Sequence, residues 1–184
     1  MKVLVIVDEQ KDFTNGVLGN AECNATVGKI VDIINTQEFD KVILTRDTHG
    51  DNYLNTQEGK KLPVTHCIEG SDGWQIRDEI MQAVKHKYSI NASDKGYYLL
   101  NKHSFGSMYL GKWLEEYYFL GQEEIEIYFT GVCTGICVIS NVMITKAALP
   151  EAKISVIADA CACVTPESHK IAIEAMKTCQ VDII

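Results

Sequence analysis

The sequence has no long apolar run, no dense basic cluster and little proline, and each shortage argues against a class of protein. No stretch approaches the roughly 20 apolar residues of a membrane span, and the run after Lys2 has only five before Asp8, too few for a secretory signal. The 17 lysine and arginine residues are scattered and outnumbered by 25 acidic residues, which argues against binding along a phosphate backbone. Proline occurs three times, and no low-complexity linker or internal repeat is present. We therefore expect neither nucleic acid nor a membrane as a partner.

The seven cysteines are an odd number and follow no framework spacing. Secreted disulfide-rich domains usually carry an even number at regular spacings, so this pattern predicts reduced thiols and a cytoplasmic protein. The chain has 184 residues, of which 46% are hydrophobic and 23% charged. This length suffices for one well-buried core and is short for two, so we expect a single domain over residues 1–184.

Short apolar runs alternate with longer helical patterns along the chain. Runs without polar alternation suit strands that are buried on both faces of a parallel sheet. Six strands are predicted, at Lys2–Val7, Lys41–Thr45, Tyr97–Leu100, Ile125–Thr130, Ile154–Ala158 and Val181–Ile184. Five helices are predicted, at Cys23–Thr36, Trp74–Lys85, Ser107–Tyr118, Thr134–Ala148 and Pro166–Thr178. This alternation predicts a three-layer α/β fold, with a doubly wound, mostly parallel six-stranded sheet and helices on both faces.

Polar residues at the carboxyl ends of the strands are the first candidates for a site, because open parallel sheets bind ligands there. Asp8 follows the first strand, Lys102 follows the third, and Cys137 lies shortly after the fourth, in the first turn of a predicted helix. The helix dipole and a nearby lysine would both lower the pKa of such a thiol. Asp8 could accept the thiol proton and return it to a leaving amine. The three residues predict nucleophilic catalysis by Cys137, against the alternative of a small apolar residue in the core.

The turn before Cys137 has the sequence TGVCTGIC. Gly131 permits a tight turn, whose backbone N–H groups could form an oxyanion hole. We interpret Cys133 as packing within this turn, because C-x-x-x-C is not the C-x-x-C spacing of redox or zinc modules. A redox pair of Cys133 and Cys137 is the weakest alternative. The other five cysteines carry no motif.

A metal site is predicted after the second strand. Asp47 and His49 lie two residues apart in extended chain and so point the same way. Residues 50–73 fit neither a helix nor a strand, and loops of this length are usually functional or disordered. This loop brings in His66 and contains Glu58, a further candidate ligand. One carboxylate and two imidazoles suit a catalytic zinc, iron or manganese ion, although Asp47 and His49 alone would more often be an exposed pair.

The sequence contains three separated motifs: DEQKDF from Asp8, NKHSFGS around Lys102 and GVCTGICV around Cys137. Together they resemble the isochorismatase-like cysteine hydrolases, a family that contains the nicotinamidases. The resemblance covers the chain from residue 3 to about residue 183. It implies that Asp8, Lys102 and Cys137 form the catalytic triad, with Cys137 as the nucleophile. Members of the family are often oligomers, so the resemblance also favours a homo-oligomer.

The resemblance is to the nicotinamidase-like branch, which carries an Asp, His, His metal site near the thiol. Asp47, His49 and His66 match this site, and Glu58 matches a glutamate ligand that some nicotinamidases add. The implied cofactor is a divalent metal, zinc first, which binds the pyridine nitrogen of the substrate. The implied reaction, part of NAD salvage, is nicotinamide plus water giving nicotinate and ammonia through a thioester on Cys137.

The resemblance also implies a cis peptide bond between Val132 and Cys133. This sequence departs from the family pattern in two places. Gly135 stands where many relatives have Asp, and Leu62 stands where nicotinamidases usually have Trp or Phe, with one inserted residue before the following His. Phe13 and Leu62 are therefore candidate pocket residues, although Phe13 could equally pack in the core.

Two alternatives to nicotinamide hydrolysis stay open. The first is a hydrolase of the same family acting on another small amide or carbamoyl compound, which the change at Leu62 favours. The second is a non-catalytic domain that binds a small molecule. A binding domain has no need of Asp8, Lys102 and Cys137 together, so the intact triad argues against it.

Overall fold

The computed structural model describes residues 1–90, 95–121 and 124–184. Within these ranges, seven parallel strands form one sheet. The strands are β1 (Lys2–Val7), β2 (Lys41–Asp47), β3 (Ser89–Ile90), β4 (Gly96–Lys102), β5 (Glu126–Val132), β6 (Lys153–Ala162) and β7 (Asp182–Ile183). Their order across the sheet is β3-β4-β2-β1-β5-β6-β7, so β4, β2, β1 and β5 are consecutive neighbours.

Helices cover both faces of the sheet. They are α1 (Lys11–Thr14), α2 (Ala21–Thr36), α3 (Gln57–Lys61), α4 (Asp78–Lys87), α5 (Met108–Gly121), α6 (Ile139–Ala148) and α7 (Pro166–Thr178). Helices α2 and α4 share one hydrophobic core with the sheet, and α5, α6 and α7 share the other. None of the described helices is both long and apolar enough to cross a membrane.

The central strand β1 illustrates why its sequence lacks polar alternation. Val3, Val5 and Val7 face one core, whereas Leu4 and Ile6 face the other, and all five side chains are fully buried. A strand covered on both faces has no solvent-facing position for a polar residue.

The predicted α/β fold, with a parallel sheet and helices on both faces, is confirmed. The number of strands differs because β3 adds a seventh, and its two residues pair with β4 in a segment too short to produce a hydrophobic pattern. The helix predicted from Trp74 begins at Asp78 instead, since Arg77 still has an extended backbone. Residues 50–73 are ordered and contain α3 and a 3-10 turn at Tyr53–Asn55.

Candidate active site

The carboxyl ends of four neighbouring strands bring the predicted catalytic residues together. Asp8 follows β1, while Asp47 and Lys102 are the last residues of β2 and β4 and lie opposite each other in the ladder. Cys137 follows β5 and lies in a π-helical turn, Thr134–Val138, that leads into α6. The order of the strands in the sheet thus explains how residues far apart in sequence converge on one edge.

The Lys102 ammonium lies at the centre of this group. Its Nζ atom is 2.6 Å from Asp8 Oδ2, 3.7 Å from Cys137 Sγ and 3.5 Å from Asp47 Oδ1. All four side chains are buried. The Thr45 hydroxyl donates to Asp8 Oδ1 at 2.7 Å and accepts the Asp8 N–H at 3.2 Å, which fixes the carboxylate. The geometry allows a proton to pass between a thiol and a carboxylate beside a fixed positive charge.

Burial governs how these groups titrate. It raises the pKa of Cys137 well above the usual value, and the Asp8 charge raises it further, while Lys102 acts in the opposite direction. The expectation that the helix end makes this thiol acidic is therefore wrong. Burial lowers the pKa of Lys102, but the carboxylates of Asp8 and Asp47 raise it by more, so the ammonium is retained. The protonated thiol needs a base, and Asp8 is placed to be that base.

The turn before the thiol is tightly packed against β1. Gly131 has a φ of 114°, and a Cβ atom there would lie 2.1 Å from the carbonyl oxygen of Val7. The peptide bond between Val132 and Cys133, which follows closely, is cis. The Cys133 carbonyl oxygen accepts the N–H of Ile136 at 3.0 Å, which begins the turn that holds Cys137. Only glycine fits the position at which the chain turns from β5 towards the thiol.

We expect Gly131→Ala to lower the free energy of unfolding by more than about 2 kcal/mol, because the added Cβ meets backbone and the φ is unfavourable for alanine. Urea unfolding measures the change. Gly28→Ala is the matched control, since Gly28 is exposed in α2 with no heavy atom within 4 Å of the added Cβ. That variant should be more stable by up to about 1 kcal/mol. Equal effects of the two substitutions would contradict the close packing at Gly131.

Four potential metal ligands converge next to this group. The donor atoms of Asp47, His49, Glu58 and His66 all lie within 4.8 Å of one another. His49 Nε2 is 3.1 Å from Asp47 Oδ2 and 3.7 Å from Glu58 Oε1, which is 3.9 Å from His66 Nε2. A set of two imidazoles and two carboxylates with their donor atoms this close together fits a divalent ion.

Two residues that the sequence did not reveal hold this cluster in position. Gln10 donates to the carbonyl oxygen of Asp47 at 2.8 Å and accepts its N–H at 2.7 Å. The Tyr53 ring packs against the rings of His49 and His66, with centroids 4.6 Å and 4.9 Å apart. Gln10 lies within the DEQKDF motif, but no pattern distinguishes Tyr53 from other loop residues.

His66 is oriented by its own backbone environment. Its Nδ1 atom lies 2.7 Å from the carbonyl oxygen of Val64. Since a carbonyl can only accept, this contact assigns the proton to Nδ1 and leaves the Nε2 lone pair for a metal. This arrangement is common for metal-binding histidines.

A cavity of about 800 Å³ opens onto both the thiol and the metal cluster. Phe13 and Leu62 both line it, and the Phe13 ring packs edge-on against His66 with centroids 5.4 Å apart. Leu62 is 38% exposed, and Tyr53 donates a hydrogen bond to its carbonyl oxygen. Further apolar lining residues not identified from the sequence are Leu18, Phe105, Ile136 and Val164. The cavity accepts an apolar or aromatic group beside the thiol.

Comparison with known sequences identifies one family. The sequence model of the family described as the isochorismatase domain matches residues 2–184. No curated protein matches the chain in sequence.

Solved structures of similar fold include three amidases. The pyrazinamidase/nicotinamidase of Streptococcus mutans has a TM-score of 0.79 and 21% identity, with 100% of both chains covered. The yeast nicotinamidase bound to the inhibitor nicotinaldehyde has a TM-score of 0.79 and 20% identity, covering 100% of this chain and 99% of that one. The pyrazinamidase of Pyrococcus horikoshii in complex with zinc has a TM-score of 0.73 and 19% identity, covering 100% and 98%. At these identities the similarity establishes the fold.

Proposed function

Because this chain belongs to the isochorismatase domain family, we propose that it is a cysteine amidohydrolase that converts nicotinamide and water to nicotinate and ammonia. The observation that carries the proposal is the contact of Lys102 with both Asp8 and Cys137, at 2.6 Å and 3.7 Å, beside a cluster of metal ligands in one cavity. The named activities of its structural neighbours support nicotinamide as the substrate.

The first half-reaction forms a thioester on Cys137. Asp8 takes the thiol proton as Sγ attacks the amide carbon, and the Lys102 ammonium stabilises the negative charge that develops on sulfur. Backbone N–H groups of the turn around Cys133 receive the charge on the carbonyl oxygen. Asp8 then returns the proton to the leaving nitrogen, and ammonia departs.

The second half-reaction releases the acid. A water molecule attacks the thioester carbon while Asp8 takes its proton, and Cys137 leaves as a thiolate stabilised by Lys102. Asp8 then returns the proton to the sulfur, which restores the resting thiol. The raised pKa of Asp8, caused first by its burial, helps this carboxyl to hold the proton between the steps.

A divalent metal would be held by Asp47, His49 and His66, with Glu58 as a fourth ligand. Zinc is the first candidate, and iron and manganese are the alternatives. When bound, the ion supplies a Lewis-acid contact to a ring nitrogen of the substrate. Phe13 and Leu62 would flank the ring from the cavity wall.

We expect metal-loaded protein to release ammonia from nicotinamide, and zinc, iron and manganese should be tested separately. Benzamide is the matched control substrate, because it has the same shape but lacks the ring nitrogen. It should be hydrolysed at least about tenfold less efficiently if the metal orients the ring. Ammonia release from neither compound under any metal would rule out nicotinamide as the substrate.

A second candidate function is hydrolysis of another small amide or carbamoyl compound. The aliphatic Leu62 at the cavity wall favours it, since an aromatic residue would stack on a pyridine ring more effectively. A panel of small amides would reveal this activity through Cys137-dependent ammonia release.

We also propose that residues 1–184 form one hydrolase domain and that the enzyme works in the cytoplasm. The seven free cysteines suit a reducing compartment.

We propose a homo-oligomer as well. The large hydrophobic side chains of Met108 and Tyr109, at the start of α5, are 76% and 63% exposed and could be covered by a second copy of the chain.

A further inference from the structure

Three cysteines meet behind the turn that carries the proposed nucleophile. Val132 and Ala162 are paired in the β5–β6 ladder, so the next residues, Cys133 and Cys163, are neighbours across the end of the sheet. Adjacent strands lie about 4.8 Å apart, which is within the Cα separation that a disulfide spans. Cys133 packs against the cluster of Cys23, Val132 and Ala162, and its side chain interacts with that of Cys163. This group is separate from the metal cluster and from the Asp8–Lys102 ion pair.

The Cys163 sulfur is surrounded by donors. The Cys133 side chain and the backbone N–H groups of Gly135 and Val164 lie close enough to interact with it. A Cβ atom at Gly135 would lie 3.4 Å from this sulfur, which shows that the Gly135 backbone is its direct neighbour. The hydrogen bond from Cys133 contributes most to lowering the pKa of Cys163, to about 5, although burial opposes it. A lowered pKa favours the thiolate of Cys163, which is the reactive form.

Both sulfur-bearing residues line cavities. Cys163 lines a second cavity of about 320 Å³ between α2, β6 and the start of α7, whose wall includes Lys29 and His169. Cys133 lines the larger cavity beside Cys137. A small polar oxidant can therefore approach Cys163 from outside the proposed active site.

We propose that Cys163 and Cys133 form a modification site at which a hydroperoxide converts the two thiols into a disulfide. In the first step the Cys163 sulfur attacks a peroxide oxygen, the S–O bond forms, the O–O bond breaks and hydroxide leaves. The Cys133 sulfur then attacks the sulfenic acid, the S–S bond forms and the S–O bond breaks. The Cys133 proton leaves with that oxygen as water, and the first hydroxide takes a proton from solvent. The two thiols lose two electrons in total, and one hydrogen peroxide becomes two molecules of water.

Cys133 is the partner of Cys163 because the pairing of Val132 with Ala162 places the two cysteines side by side at the ends of β5 and β6. Cys23 donates to the Cys163 carbonyl oxygen instead, at 3.7 Å. Because Cys133 belongs to the turn that leads to Cys137, oxidation of the pair would alter the wall of the larger cavity next to the nucleophile.

The test is peptide mapping after mild oxidation of metal-loaded protein with hydrogen peroxide at pH 7. Trypsin leaves Cys133 and Cys137 together on residues 113–146, and Cys161 and Cys163 together on residues 154–170. The protein should therefore carry Cys137→Ala and Cys161→Ala, so that each peptide keeps one cysteine. We expect a cross-link between these two peptides that dithiothreitol removes, and its loss when Cys163→Ser is added. Since Cys137 is absent, the result does not depend on the proposed function.

Two outcomes would overturn the proposal. One is a protein in which the exposed Cys179 is oxidised while residues 113–146 and 154–170 stay unlinked. The other is a cross-link between residues 113–146 and the Cys23 peptide, residues 12–29, in the presence of Cys163. Circular dichroism of each variant before oxidation checks that the fold is retained.

Discussion

Cys137→Ala should reduce ammonia release from nicotinamide by about three orders of magnitude or more, as expected for loss of a covalent nucleophile. The thioester cannot form without the sulfur, and no other described thiol lies beside the Asp8–Lys102 pair, 3.7 Å from the ammonium. Ammonia release and circular dichroism of the same preparation measure activity and fold together. The fold should be retained, because the substitution removes one sulfur atom from a side chain at the wall of a cavity.

Cys179→Ala is the matched control, since Cys179 is exposed and lies far along the chain at the end of α7. It should keep the activity of the parent. Cys133→Ala provides the sharper comparison because Cys133 lies in the same turn and lines the same cavity. If Cys137→Ala remained active while Cys133→Ala did not, the nucleophile would have been assigned to the wrong cysteine of the turn.

The convergence of Asp8, Lys102 and Cys137 could be predicted because each one lies at or just after the end of a strand with a clear apolar sequence. The continuous apolar runs before Asp8 and Lys102 identify buried parallel strands, and the rule for strand ends then places both residues at one edge. The position of Cys137 relative to Lys102 follows from the order of the strands, which a single sequence does not specify but the family resemblance supplied.

Other parts of the site depend on contacts between distant segments. Glu58 could be named as a candidate ligand, but the helix α3 that carries it to His49 and His66 could not be predicted, because a five-residue helix leaves little pattern in the sequence. The hydrogen bonds between the Gln10 side chain and the Asp47 backbone join residues 37 positions apart. The thiol pKa was predicted in the wrong direction because a helix end is a local feature, whereas the burial of Cys137 is produced by packing of the whole chain.

His49→Ala should weaken metal binding by about 100-fold or more and lower nicotinamide hydrolysis with it, because the cluster loses one of two imidazoles. The remaining Asp47 and Glu58 oxygens and the His66 ring would leave an open coordination position filled only by water. Metal content per chain after dialysis against a weak chelator gives a readout that does not depend on activity. Glu58→Gln should have a smaller effect, since the Glu58 side chain is 23% exposed whereas Asp47, His49 and His66 are buried.

His86→Ala is the control for metal content, since His86 is an exposed histidine in α4. Unchanged metal affinity in His49→Ala would show that the ion binds elsewhere. Loss of metal with unchanged hydrolysis of nicotinamide would instead show that substrate binding does not need the ion. Such a result is chemically possible because the Asp8–Lys102–Cys137 group contains every group needed for acyl transfer. In that case the preference for nicotinamide over benzamide should not depend on the metal. The metal content and the ratio of the two substrates together therefore test the ligand set and its role independently.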